Sequence, residues 1–221
     1  GHGITYTNPL MVEPIQVSPS FGGMAIDGKP ADCVKLAIKS LWPEAFGDGE
    51  RPDLTISGMN SGANVGINIL YSGTVAAAVE SAFLGVPSIA VSLYLQNRDR
   101  IYWDRAAAIA RTTIDHILAT RPLTPHEVIN VNIPPIESPN AEMPPLRVVG
   151  MNAAPLAEGF ERRVSPAGQV YYWSASEGMQ FTSTTEGSDV DLIRNGCVTI
   201  TPLSYVMTDV NRLQEWREAL E

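Results

Sequence analysis

The sequence predicts an α/β fold, a mainly parallel sheet covered by helices, and three observations carry that expectation. Between residues 53 and 133, short β-branched apolar runs alternate with longer stretches of helical periodicity, the pattern of successive β-α-β units. The connections between them are short, as expected for parallel neighbours joined by crossover helices. The chain has 221 residues, 44% of them hydrophobic, which is enough for one globular core with an appendage.

"PADCVKLAIKSLW" (30–42) carries apolar residues at helical spacing, with Pro30 at its entry and Asp32 as the expected N-cap. "GDGERP" (47–52) is a turn cluster, and "DLTIS" (53–57) reads as a short buried strand. A loop follows, "SGMNSGANVGINILYSGTV" (57–75), and then a helix, "TVAAAVESAFL" (74–84), which Gly85 ends and Pro87 cannot continue. "SIAVSL" (88–93) is a second buried strand, "WDRAAAIARTTIDHILAT" (103–120) a helix and "EVINVNI" (127–133) a third strand. After residue 134 the texture changes. "PPIESPNAEMPP" is a proline-rich connection, "VYYWS" (170–174) and "CVTITPL" (197–203) read as strands, and an amphipathic helix closes the chain at 208–220. The expected division is therefore a core over 1–134 and an arm over 135–221, with Tyr171, Tyr172 and Trp173 packing inside the arm.

Charge excludes one class of partner. The formal net charge is -9, so the chain as a whole is unsuited to gripping a nucleic-acid backbone. No apolar run reaches the ~18 residues that span a bilayer, and no signal peptide is read. Cys33 and Cys197 each sit in an apolar pattern and are expected as buried free thiols in a reducing cytoplasm.

The 57–75 stretch is rich in glycine, asparagine and hydroxyl residues and holds no charged side chain. It joins a strand end to a helix start, the edge of an open α/β sheet where ligands bind. Ser72, Gly73 and Thr74 fall where the helix begins, so N–H groups without intrahelical partners and the positive dipole end favour an anion. The same residues serve equally as a helix cap and turn. The stretch is neither a Walker A loop nor a dinucleotide fingerprint.

"SGMNSGANVGINILYSGTVAAAVESAFLGVPSIAVSL" closely resembles the survival protein E (SurE) family, metal-dependent nucleotidases that hydrolyse nucleoside monophosphates. "GKPADCVKLAI" (28–38), "VNIP" (131–134) and "EGSDVDLIRNGCVTITPL" (186–203) are similar to further segments of that family, in order along the chain. The resemblance implies a three-layer sandwich with a Rossmann-like sheet and a C-terminal β-hairpin and helix arm. It implies phosphate binding at Ser72, Gly73 and Thr74, and a divalent metal such as Mg or Mn, one per subunit, ligated by Asn60. Gly58, Gly62, Asn64 and Gly66 would shape the loop between them. The family's Asp-Asp pair, carried in an "Asn-Asp-Asp-Gly" loop, has no counterpart here, so no catalytic residue is assigned, and this chain by itself is expected to be inactive and poorly soluble. "GHGIT" (1–5) is similar to the stretch just beyond a further family ligand, so the strands and helix preceding it are expected to lie outside this sequence. The implied partners are a nucleoside monophosphate and further copies of the chain, as a dimer or tetramer formed through the arm. The alternative is a non-catalytic nucleotide- or phosphate-binding protein that has lost the metal centre. His2 is expected to be solvated, or a proton shuttle near the loop, and Asp189 to be structural in the arm.

Overall fold

The computed structural model describes residues 1–157, 159–175 and 179–221. The chain opens with an antiparallel hairpin, β1 (Val12–Ser18) and β2 (Phe21–Ile26). A continuous helical segment follows: α1 (Pro30–Leu36), a π-turn (Ala37–Leu41) and α2 (Trp42–Phe46). The β-α-β-α-β series is then β3 (Thr55–Ser61), α3 (Gly73–Phe83), β4 (Ser88–Leu93), α4 (Trp103–Thr120) and β5 (Val128–Ile133). The C-terminal portion supplies β6 (Leu146–Val148), β7 (Phe160–Val164), β8 (Val170–Ser174), α5 (Asp189–Arg194), β9 (Val198–Leu203) and α6 (Val210–Leu220).

Five strands form the central sheet in the order β3-β4-β5-β9-β6. Pairing is parallel except between β5 and β9, so the sheet is mainly parallel as expected. The expected boundary at residue 134 cuts through this sheet, because β9 is hydrogen-bonded to β5 and β6 to β9. What projects from the core is narrower: the β7–β8 hairpin and α6, whose described residues are all exposed. Tyr172 and Trp173 are 62% and 61% exposed there, so the expected packing of the aromatic cluster within the arm is not found. Among the described residues, no second layer covers this hairpin of two five-residue strands.

Helices cover both sheet faces, which makes three layers. On one face, α4 sets Ala106, Ile109, Ala110 and Ile114 against Ile89, Val91, Ile129 and Val131. That spacing is one helical stripe on alternate strand positions. On the other face, α3 lays Val75, Ala78 and Ala82 on Ala90 and Val128. Its alanines permit close approach, and it ends where Gly85 and Val86 donate N–H bonds back to Ala82 and Ser81.

Two local expectations change. Ser57–Ser61 continue β3 instead of starting the loop, with the pairing to β4 interrupted between Ser57 and Asn60. A Cβ at Gly58 would sit 2.2 Å from the Val91 carbonyl oxygen, so only glycine lets the strand pass there. Asp32 is not an N-cap. Pro30 takes the first helical position, which makes Lys29 the cap and leaves Asp32 two positions further in, where it accepts the Lys29 N–H at 3.0 Å. It also accepts the Thr5 N–H and hydroxyl at 2.8 and 2.7 Å. Burial alone would raise this carboxyl, but the bonds from Thr5 and Lys29 outweigh it and hold it below the ordinary range. Both cysteines are free thiols; Cys197 is buried and Cys33 only half-buried.

Candidate active site at the start of α3

From β3 the chain passes through residues 62–65 and a 3-10 turn, Gly66–Tyr71, to Ser72, the N-cap of α3. The loop is pinned to the sheet by neutral amides. The Asn64 N–H donates to Asn132 Oδ1 at 2.8 Å, and the Asn64 carbonyl accepts from Asn130 Nδ2 and Asn132 Nδ2 at 2.8 and 3.0 Å. Asn64 Nδ2 donates to Ser92 Oγ at 2.7 Å. A buried asparagine both donates and accepts, so three of them fix a backbone without any net charge. Beneath this network, Asn130 Oδ1, Thr199 Oγ1 and Thr201 Oγ1 are buried without a protein partner among the described residues.

A second clamp comes from far along the chain. Gly66, at φ +55°, donates its N–H to Asp189 Oδ2 at 2.7 Å, and a Cβ there would meet Phe181 at 2.8 Å. Asp189 Oδ1 also accepts the N–H groups of Asn152 and Val190, both at 2.8 Å. Burial pushes the Asp189 carboxyl above its ordinary value while these N–H bonds oppose the rise. The residue is structural, and what it holds is the loop that leads to α3.

At the helix start, Ser72 Oγ accepts the Val75 N–H at 3.1 Å, and the Ser72 carbonyl accepts the first helical bond from Ala76. The Gly73 and Thr74 N–H groups have no acceptor among the described residues, and neither does the Thr74 hydroxyl. Both residues are half-buried, and no acidic side chain lies in the first turn. A Cβ at Gly73 would approach Pro30 Cγ to 2.9 Å, so α1 packs too close for a side chain there. Oriented N–H donors at the positive end of an 11-residue helix are suited to an anion.

A pocket of about 290 Å³ opens beside this turn, lined by Gly62, Asn64, Asn68, Tyr71, Ser72, Tyr94 and Arg98 among others. Among the described residues, Arg98 is the one charged residue in that lining, and it has no ion pair. Sequence reasoning did not name it. The available signal was the basic "RDR" run (98–100) just past β4, at the same sheet edge as the 57–75 stretch.

Asn60 lies near the end of β3, half-buried, with Nδ2 donating to the Gly62 carbonyl at 2.8 Å. That leaves Oδ1 without a protein donor among the described residues, as a hard neutral oxygen of the kind a magnesium-type cation takes. Among the described residues, no three His, Cys, Asp or Glu side chains come together to hold a metal ion. Asn60 therefore fits one position of a cation shell, and the described residues do not complete the shell. Glu80 is committed elsewhere, to His2 Nε2 at 2.7 Å and Lys35 Nζ at 3.7 Å. His2, which also stacks on Phe83, is exposed as expected and is in addition tied to the α3 flank. His126 Nδ1 lies 2.8 Å from the Ala82 carbonyl oxygen, at the other end of α3.

Comparison with known proteins gives a consistent set of relatives. The family model described as Survival protein SurE matches residues 1–158. A protein of Rhodopirellula baltica named 5'-nucleotidase SurE is 40% identical over 99% of this chain and 82% of its own length. One of Syntrophus aciditrophicus with the same name is 41% identical over 96% of this chain and 76% of its own. The crystal structure of the SurE protein from Aquifex aeolicus superposes with a TM-score of 0.78 at 31% identity, covering all of this chain and 84% of that one.

Proposed function

The chain belongs to the survival protein SurE family, and from that premise we propose that it is a 5'-nucleotidase, a phosphomonoesterase acting on nucleoside monophosphates. The observation that carries the reading is the start of α3. Among the described residues, the Gly73 and Thr74 N–H groups and the Thr74 hydroxyl are uncommitted, and Arg98 is the one charged residue lining the pocket beside them. Those N–H groups and the Ser72 and Thr74 hydroxyls hold the phosphate oxygens, and they gain strength as charge develops on them during phosphoryl transfer. Removing one such preorganised donor costs about 3–4 kcal/mol of transition-state stabilisation. Arg98 adds the positive charge that the helix start lacks.

A divalent cation of the Mg or Mn type, one per subunit, is the proposed cofactor; bound, it would neutralise phosphoryl charge. Asn60 Oδ1 is its one proposed ligand here. Gly58, Gly62, Asn64 and Gly66 set the course of the backbone between the two sites, Asn64 through its bonds to β4 and β5. Self-association as a dimer or tetramer through the arm is proposed from the exposed Phe160, Tyr172 and Trp173 on β7–β8 and Trp216 on α6. No helix among the described residues is long and apolar enough to cross a membrane, and two free thiols suit a cytoplasmic setting.

One observation favours a second reading, a nucleotide- or phosphate-binding protein without turnover: among the described residues, no three His, Cys, Asp or Glu side chains gather to hold a metal ion. Phosphate release from AMP with manganese, assayed on the protein as expressed from its own gene, separates the two. Turnover that falls in Ser72→Ala and Thr74→Val supports the nucleotidase. Saturable AMP binding with no phosphate released supports the binder, and absence of both overturns the phosphate site itself.

A further inference from the structure

A second pocket, of about 240 Å³, lies against the first at the carboxyl edge of the sheet. The two share Tyr94 and Leu95, the residues that follow β4, and the second extends along residues 96–102 to residues 135–137 after β5. The substrate reading given above does not use it. Its chemistry is mixed in a specific way. Ile101 and Ile136 belong to the aliphatic layer under α4 and give the pocket an apolar side. The Arg100 guanidinium lies over the Tyr102 ring, 5.3 Å from its centroid, and brings a flat cationic group to the lining. Asn97 Oδ1 is engaged by the Asp99 N–H at 2.8 Å, which leaves the Asn97 amide nitrogen as a donor. Glu137 adds an acceptor.

We infer that this pocket holds the nucleoside end of the substrate, with the base against Ile101, Ile136 and the Arg100–Tyr102 pair. The inference rests on the phosphate reading of the α3 start. A heterocyclic base has a flat face that an aliphatic surface or a guanidinium covers and an edge of donors and acceptors that amides match. Asn97 Nδ2 meets a base acceptor, and Glu137 accepts from a ribose hydroxyl or an exocyclic amino group. The 94–102 segment then reads both ends of one molecule, Arg98 facing the phosphate pocket and Asn97 and Arg100 the base pocket. Selection for a nucleotide over a bare sugar phosphate is thereby located in this segment and not in the α3 turn.

The test is a calorimetric titration of the chain with AMP and, separately, with ribose 5-phosphate, which keeps the phosphate and sugar but lacks the base. AMP binds more tightly, by roughly tenfold or more, about 1.4 kcal/mol per decade. Asn97→Ala and Ile136→Trp, the first removing the donor and the second filling the pocket, bring AMP toward ribose 5-phosphate and leave ribose 5-phosphate unchanged. Equal affinity of the unaltered chain for both ligands overturns the inference without any variant. Equal loss for both ligands in Asn97→Ala and Ile136→Trp also overturns it, because the segment then acts through the phosphate pocket. Failure of both ligands to bind the unaltered chain overturns the phosphate reading and this inference with it.

Discussion

Thr74→Val separates ligand binding from folding at the start of α3. Thr74 is the second residue of the helix, is half-buried, and its hydroxyl has no protein partner among the described residues. Valine keeps the β-branched shape and has nearly the same helix propensity, so the fold loses at most about 0.5 kcal/mol. A hydrogen bond to a charged phosphate contributes about 1.5–3 kcal/mol, which is roughly a 10- to 150-fold loss of affinity. Ser72→Ala is the companion. Ser72 Oγ accepts the Val75 N–H at 3.1 Å as the N-cap, so its loss costs about 1 kcal/mol of stability in addition to any loss of phosphate binding. Titration with inorganic phosphate, alongside thermal melts, reads both quantities. Thr74→Val is expected to bind phosphate weakly and melt normally, and Ser72→Ala to be impaired in both. Wild-type phosphate affinity in Thr74→Val would refute the site. A melting temperature lowered as far as in Ser72→Ala would show instead that the hydroxyl serves the helix.

Three further outcomes follow from particular contacts. The Arg121 guanidinium, with help from the Thr124 N–H, holds the Glu127 carboxyl down from 4.5 to about 2. Its stabilisation is present above the ordinary value and is lost as the pH falls through about 2, so Glu127→Gln melts with about 1 kcal/mol less stability than wild type at pH 6, and the two converge only near pH 2. Thr201→Val replaces a buried hydroxyl that has no protein partner among the described residues with a methyl of the same shape and raises stability by about 1 kcal/mol in denaturant melts; a loss of that size would mean that water satisfies the hydroxyl. Ile109→Ala opens a cavity between α4 and the sheet and costs about 2–5 kcal/mol, while a cost under about 1 kcal/mol would show that the helix collapses onto the space.

The elements read most accurately from the sequence are those whose signal is local. α4 matches its expected limits, 103–120, because one apolar stripe runs its whole length. β4 and β8 match theirs because short apolar runs are bounded by turn residues. β1 and β2 went unread because both faces are largely exposed, so no alternation marks them, and Pro14, Gly22 and Gly23 interrupt the pattern. β3 outran its expected end because pairing with β4 resumes at Asn60 and Ser61 after the irregularity at Gly58, and Gly and Asn are poor strand formers on their own. The three-residue β6 and six-residue α5 are too short to carry a period.

The site divides in the same way. Ser72–Thr74 were legible as the start of α3 because cap residues follow a local grammar. Arg98 offered only the basic run after β4 as a signal, because its place on the same pocket as Ser72 depends on β4 lying next to β3. The Asp189 bond to Gly66 spans 123 positions, and "GSD" at a short helix start signals only a cap. Asp32 misled because serine-like capping logic favours it, and Pro30 shifts the helix start by its fixed φ.

The central claim is that the start of α3 receives a phosphate group. Diffraction from crystals of this chain soaked in inorganic phosphate tests it most directly. The account predicts an anion within hydrogen-bond distance of the Gly73 and Thr74 N–H groups and the Thr74 hydroxyl, on the side of the pocket that Arg98 lines. A phosphate bound in solution but seated elsewhere in the crystal, with that turn unoccupied, would contradict it.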